Sequence, residues 1–313
     1  MKLMSAKNSA IHRVIFGSRK HYGILNVLFY FVLLGGIGFL FLYPVLYMAV
    51  QSIMTSGDIT DPAIVWIPSS LYFGNYAKAF ATLDFSGAFA KSMYLSIVPS
   101  LLTTISSAFI GYGLARFRFP GKRKWIVLIV ATFFVPSQVL MVPRFMMFSQ
   151  YHLINTPWTQ FLPSMFGQGI KGALFVLIFM QFFSSYPKVL DEAAAIDGAG
   201  RLGVFFRIAV PMAIPAIVIS ILFSFVWYWN ETTQASLFFG TQIKTLPMKL
   251  GSFAASYSTM YGSTANAASA ANALNEAISM AGTLLSILPL LLLYLFVQRQ
   301  FVESVEKSGI TGE

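Results

Sequence analysis

Residues 24–54 read ILNVLFYFVLLGGIGFLFLYPVLYMAVQSIM, without one acidic or basic side chain. A helix rises about 1.5 Å per residue, and about 20 predominantly apolar residues cross the roughly 30 Å hydrocarbon layer of a bilayer. This run exceeds that length, which leaves room for tilt or for extension beyond the lipid. It is also far longer than the core of a cleavable leader, and no small-residue cleavage site follows it, so it is expected to stay as an anchor.

Five more apolar runs follow: Ser92–Ala115, Trp125–Ser149, Gly172–Tyr186, Ile208–Trp229 and Ala277–Val297, with Gly172–Tyr186 the shortest. Composition points the same way. Of 313 residues, 57% are hydrophobic and 10% charged, and mean hydropathy is +0.70; soluble domains carry about 25% charged residues. The expected fold is all-α and membrane-embedded, a polytopic protein of six transmembrane helices. It divides into a basic N-terminal extension (1–23), one transmembrane domain (24–301) and a tail (302–313). The chain has no cysteine, which excludes disulfides and thiolate metal sites.

Lys and Arg set the orientation, because cytoplasmic loops are enriched in them. Fifteen of the 21 basic residues fall in four alternate segments: before the first run, at 116–124, at 188–207 and from Arg299 onward. All four then face the cytoplasm, and both termini with them, in a multi-pass protein of the plasma (inner) membrane. The net charge of +10 is thereby explained as topology, with no nucleic-acid partner required. Residues 14–22, VIFGSRKHY, fit a short interfacial helix whose Arg19 and Lys20 meet anionic headgroups. Segments 53–91, 151–171 and 231–276 are external loops. The last ends in SYSTMYGSTANAASAANALNEA, a composition usual in mobile loops but also compatible with contact to a soluble external partner.

The cytoplasmic stretch from Pro187, PKVLDEAAAIDGAGRLGVFFRIAVP, interrupts the apolar pattern. Serines before Pro187 mark a helix start, and Asp191 and Glu192 suit the positive end of the helix dipole. Three alanines have the highest helix propensity, and Gly198 supplies a left-handed cap. A second short helical run carries Leu202, Phe205 and Phe206 on one side, before Pro211 and Pro215 open the fifth span. A short helix with a small-residue surface suits a groove on another protein. An amphipathic helix lying on headgroups would favour Lys and Trp instead.

EAAAIDG followed by GRLGVFFRIAVPMAIPAI resembles the EAA loop of ATP-binding-cassette importer permeases. Their Glu-Ala-Ala, three residues, Gly pattern is filled by Glu192, Ala193, Ala194 and Gly198. FRFPGKRK, NTPWTQFLP, QFFSSYPKVLDEAAAIDGA and WNE resemble the carbohydrate-uptake branch, and within it the maltose-type six-helix inner-membrane subunit, over roughly residues 24–301. The tail QRQFVESVEKSGITG is similar more loosely. WNE stands where the family more often has WND, and the extension before Ile24 has no counterpart.

The resemblance implies a cytoplasmic coupling (EAA) helix seated in a groove of an ATPase subunit. Glu192 would pair with a basic residue there, Gly198 would permit the turn, and Asp197 would cap or hydrogen-bond within the loop. Implied partners are a second homologous permease, a dimer of cytoplasmic ATPase subunits, an extracytoplasmic solute-binding protein and membrane lipid. This chain has no phosphate-cradling GxxxxGK[ST] loop. ATP and Mg are therefore expected on the partner ATPase, and this chain is expected to bind no cofactor and to be no enzyme. The implied cargo is an oligosaccharide or other carbohydrate. An amino acid, a peptide or an anion such as phosphate remains open within the same superfamily.

Candidate substrate-pathway residues are Gln138, Arg144, Gln181, Trp227, Trp229, Asn230 and Glu231. Trp227–Glu231 reads either as an interfacial aromatic belt or as a sugar-stacking cluster. Arg144, in or near the external half of the third span, is a functional candidate because intramembrane charge is costly, though it could snorkel. Gln138 and Gln181 read as interhelical hydrogen-bonding groups or as ligands. Ser106, Ser107, Gly111 and Gly113 fit close helix packing. His12, His21 and His152 lack metal-ligand spacing, and no constellation for a catalytic site is present. An ion-coupled secondary transporter would show more intramembrane ionisable groups and would leave the cytoplasmic loop unexplained. An integral-membrane enzyme would need converging acids or histidines near one face.

Overall fold

A computed structural model of the chain describes residues 17–18, 21–261 and 274–309, with side chains described over 23–261 and 274–299. The chain divides into two compact units, residues 1–78 with 265–284 and residues 79–264 with 285–313.

In the first unit, Gly17–Ser18 (β1) pairs antiparallel with His21–Tyr22 (β2), Gly17 opposite Tyr22. This strand pair stands where an interfacial helix was expected over 14–22; residues 14–16 and 19–20 lie outside the described residues. Helix α1 (Ile24–Gln51) follows, and Gln51 is its one buried residue. Most of its apolar side chains are exposed among the described residues, Phe31 and Phe41 at 76%. A helix hydrophobic all round needs an apolar surrounding.

The loop after α1 is built rather than slack. Thr55 and Asp58 form a reciprocal capping box on α2 (Ser56–Thr60), and the Ser69 hydroxyl donates to Asp58. That hydroxyl is the largest influence holding the Asp58 carboxyl below its ordinary value. Asn75 donates to the Ser52 and Met54 carbonyls at 3.0 and 2.8 Å. Asn275 donates to Ser56 Oγ at 2.9 Å, while its side-chain oxygen accepts from the Ile278 amide.

Gly74–Leu83 (α3) leads to α4 (Phe85–Arg116), the central helix of the second unit. Helix α4 begins seven residues before the apolar run that announced it, because Phe85–Lys91 is helical though less apolar. One face is lined by Ser92, Ser96, Ser100, Thr103, Thr104, Ser106 and Ser107, all buried. Small side chains let three other helices approach: α8 (Gly172–Ser185), α11 (Ile214–Asn230) and α7 (Trp158–Met165). At Gly111 an added Cβ would lie 2.6 Å from Phe179 Cβ and 2.8 Å from Met180 N, so α4 and α8 cross there nearly backbone to backbone. Gly113 meets nothing within 4 Å and plays no such part.

The third apolar run, 125–149, is not one straight span. Lys122–Phe134 (α5) ends at Val135–Pro136. A 3-10 turn (Ser137–Leu140) and α6 (Met141–Gln150) then leave at 96° to α5. Pro136 has no N–H to continue the helix and pushes Val135 into an extended conformation, φ −74° and ψ 118°. Two more bends, of 75°, separate α8 from α9 (Val189–Ile196) and α10 (Arg201–Met212) from α11. Among the described residues, three helices are long and apolar enough to cross a membrane: α1, α4 and the Glu276–Arg299 portion of α15 (Glu276–Gly309). The count rises to six if each bent pair is one span. The helix continues beyond that span to Gly309, through part of the segment expected as a tail; 310–313 lie outside the described residues. The segments expected as loops also hold short helices: α7 in 151–171, then α12 (Thr233–Phe239), α13 (Leu246–Gly251) and α14 (Phe253–Tyr261) in 231–276. Residues 262–273 lie outside the described residues.

Candidate functional site

The basic end of α4 and the acidic start of α9 meet. Arg116 Nη2 donates to the Tyr186 carbonyl at 2.9 Å, and its guanidinium lies 3.5 Å over the Tyr186 ring. Arg116 Nε stands 3.3 Å from Asp191 Oδ2, and the Tyr186 hydroxyl donates to Asp191 Oδ1 at 2.8 Å. The Arg116 side chain is 5% exposed and that of Asp191 22%. A buried guanidinium with three different partners is the residue type suited to such a joint, since its planar fork stacks and donates together. Asp191 thus anchors α9 from behind, where the sequence offered only a helix-dipole role for it. Tyr186 also packs into an aromatic core with Tyr112, Phe179, Phe183 and Phe205.

With its inner side held, α9 turns Glu192, Ala193 and Ile196 outward, all exposed, Ile196 at 86%. Its C-terminus is closed as the glycine foretold. Gly198 sits at φ +84°, its amide bonds the Ala195 carbonyl, and the Ala199 amide bonds that of Ala194. This is the paired 6→1 and 5→2 cap that requires a left-handed residue. Ala194 and Asp197 line a shallow depression of about 240 Å³ with Gly203 and Arg207. Glu192, Ala193, Ala194, Asp197 and Gly198 therefore share one protruding elbow. A π-helical stretch, Phe205–Ala209, then leads back towards α11.

A second feature is a cavity of about 550 Å³ inside the second unit, between the break in the third run and the end of α11. It gathers Gln138, Arg144 and Glu231 of the expected pathway residues, together with Gln168, Lys171 and Gln234, which the sequence did not single out. Gln138 sits on the exposed 3-10 turn, outside any regular helix, because Pro136 breaks the run. Arg144 is half-buried on α6. Glu231 accepts from the Gln234 amide at 2.8 Å, capping α12. A narrow recess opens from the cavity towards Tyr228, Thr159 and Gln160. The buried Tyr228 hydroxyl is fixed by Ser164 Oγ at 2.7 Å and by the Ile170 amide at 3.1 Å.

Four expected residues lie elsewhere. Gln181 is exposed on α8. Trp227 packs against Phe175 and Phe223, and Trp229 is 2% exposed beside Phe225 and Phe89. Neither tryptophan lines the cavity, and Trp229 is core rather than interfacial belt. Asn230 is exposed and donates to the Val226 carbonyl.

The profile of the family described as "Binding-protein-dependent transport system inner membrane component" matches residues 107–307. The chain is 30% identical to the probable ABC transporter permease protein YurM of Bacillus subtilis, covering 86% of this chain and 84% of that one. It is 28% identical to the arabinooligosaccharides transport system permease protein AraQ of Halalkalibacterium halodurans, over 88% and 93% of the two chains. Its fold is similar to that in the crystal structure of a bacterial ABC transporter involved in the import of the acidic polysaccharide alginate. There the TM-score is 0.72 at 21% identity, over 90% of this chain and 99% of the other.

Proposed function

The chain belongs to the family of binding-protein-dependent transport system inner membrane components, and from that premise we propose that it forms a carbohydrate pathway driven by a separate ATPase docked on α9. It is a membrane protein and the permease subunit of an importer. The observation that carries the docking role is the anchored elbow: Asp191 is held on Arg116 and Tyr186 while Glu192, Ala193 and Ile196 face away from the chain. A helix fixed at its back and bare at its front is built to pass force to something seated on it. Glu192 pairs with a cation of the ATPase groove, and the alanines allow close approach.

In this reading, ATP and Mg bind the ATPase dimer, whose closure draws the elbows of this chain and of a second, homologous permease together. The elbow moves with the base of α4 because Arg116 joins them. An external binding protein delivers the cargo. The four basic segments put the elbow and both chain ends in the cytoplasm. A carbohydrate cargo is supported by the arabinooligosaccharide permease among the relatives and by the amide-lined cavity.

Glu192→Lys tests this in the complete importer. The expected result is loss of ATP-driven uptake together with loss of the ATPase subunit during purification. Normal uptake by that variant overturns the docking role.

A further inference from the structure

Arg144 is placed at a cost that its own chain does not offset. It is half-buried on α6, in a protein whose surroundings are apolar, and no ion pair or hydrogen bond engages it among the described residues. Glu231 lines the same cavity but lies beyond ion-pair distance, and one of its oxygens is already used on the Gln234 amide. Lys171 adds a second cation to the wall, with its ammonium 5.7 Å from the centre of the Phe133 ring. The cavity is thus lined by two cations and one carboxylate.

The recess behind Arg144 holds a second unmatched group. Gln160 is 9% exposed, and its side-chain oxygen has no hydrogen-bond partner among the described residues. Gln160 and Arg144 line that recess together. A buried polar atom without a partner costs about 1–3 kcal/mol, and a buried charge costs more. Arg144 lines both the hollow of about 550 Å³, within the usual size of small-molecule sites, and the adjoining recess of about 20 Å³ that Gln160 lines, and the two groups together point to a ligand that carries both a negative charge and a hydroxyl donor reaching that recess. The exposed rings of Phe133 and Phe134 at the rim offer apolar faces to a pyranose.

We propose that this cavity is a cargo subsite for a carboxylated sugar, in which Arg144 takes the carboxylate and the Gln160 side-chain oxygen accepts a hydroxyl of the same ring. The proposal rests on the carbohydrate-importer reading and deepens it by assigning the charge of the cargo. Planar guanidinium and carboxylate match in a two-point contact. Gln168 and Gln234 offer further amide groups to hydroxyls, and Glu231 accepts from hydroxyls while excluding a second carboxylate from the near side.

The test is direct binding of a radiolabelled trigalacturonate, with uncharged trigalactose as its counterpart, to the complete importer in lipid nanodiscs without ATP. The expected result is binding of the acidic trimer that weakens roughly 10- to 100-fold in Arg144→Gln, the range of a charged hydrogen bond. Arg144→Lys should recover part of the loss, because it restores charge without the fork. Gln160→Leu should weaken both trimers. The uncharged trimer should be indifferent to Arg144→Gln, which also serves as the check that the variant is folded. Equal binding of the two trimers, or an acidic trimer indifferent to Arg144→Gln, or no binding of either, overturns the proposal. So does native mass spectrometry showing a phosphatidylglycerol that Arg144→Gln releases while trimer binding stays constant, since the cation then serves lipid. The assay needs no ATP, so its outcome is independent of what Glu192→Lys does to coupling.

Discussion

Asp191→Ala would cut the elbow from the helix that positions it. The change removes the Tyr186 hydroxyl bond at 2.8 Å and the Arg116 contact at 3.3 Å. A hydrogen bond to a charged group contributes about 1.5–3 kcal/mol. The ion pair adds about 1 kcal/mol once discounted for the 22% exposure of Asp191. Together these come to about 3 kcal/mol, or roughly 100-fold in the equilibrium between a seated and a released α9. Arg116→Ala leaves the Tyr186–Asp191 bond but removes the Asp191 contact, the ring stacking and the carbonyl bond, and should cost about 3–5 kcal/mol. Hydrogen exchange of the 190–196 amides in the purified importer reads this equilibrium. Exchange should rise roughly 100-fold in Asp191→Ala, and the double variant should fall short of the combined single effects, since the two residues share one contact. ATP-driven uptake in proteoliposomes should fall further than ATP hydrolysis does. Amide exchange unchanged in Asp191→Ala, or single effects that simply add, refutes the idea that Arg116 seats the elbow.

Three other perturbations are informative. Gly111→Ala forces α4 and α8 apart at a contact of 2.6 Å, and should lower thermal stability in detergent by about 1–3 kcal/mol, whereas Gly113→Ala, with open space, should not; equal melting of the two variants would remove the close crossing. Trp229→Ala empties a fully buried site and should destabilise by about 3–5 kcal/mol with cargo preference intact; altered selectivity at unchanged stability would place Trp229 in the pathway after all. Asp58 is held below its ordinary pKa of 3.8 chiefly by Ser69, so its contribution to folding is complete above that value and is lost as pH falls through the lower, folded-state one. Acid destabilisation below about pH 4 should therefore shrink in Ser69→Ala, and melting curves identical to wild type down to about pH 3 would contradict it.

The long apolar runs were legible because lipid demands little beyond length: α1 and the Glu276–Arg299 helix fall close to where hydropathy puts them. The cap at Gly198 was legible because its cause is local. The 96° break was not read, although Pro136 stood in the run, because a proline can kink a helix as well as end it. The early start of α4 escaped because its first turns are stabilised by neighbours within the unit rather than by their own hydropathy. The joint at Arg116 escaped for another reason: Arg116 and Tyr186 lie 70 residues apart, and nothing local marks such a pair. The same limit scattered the pathway candidates. Gln138, Arg144 and Glu231 share a cavity only because the third run breaks, while Gln181 and Trp229 had equal claims in sequence and point elsewhere.

The hydroxyl-rich face of α4 bears on how a permease can change shape. Ser106 Oγ reaches both the Thr103 carbonyl of its own helix and the Ser164 carbonyl of α7, and Thr104 Oγ1 reaches both the Ser100 carbonyl and Ser220 Oγ of α11. Ser106 shares one proton between two carbonyls, whereas Thr104 donates within its own helix and accepts from Ser220. Were the outer bond released, the Ser106 and Thr104 protons would keep the Thr103 and Ser100 carbonyls of α4 as partners. Such a seam would let a neighbouring helix exchange partners at the cost of about one weak bond at a time.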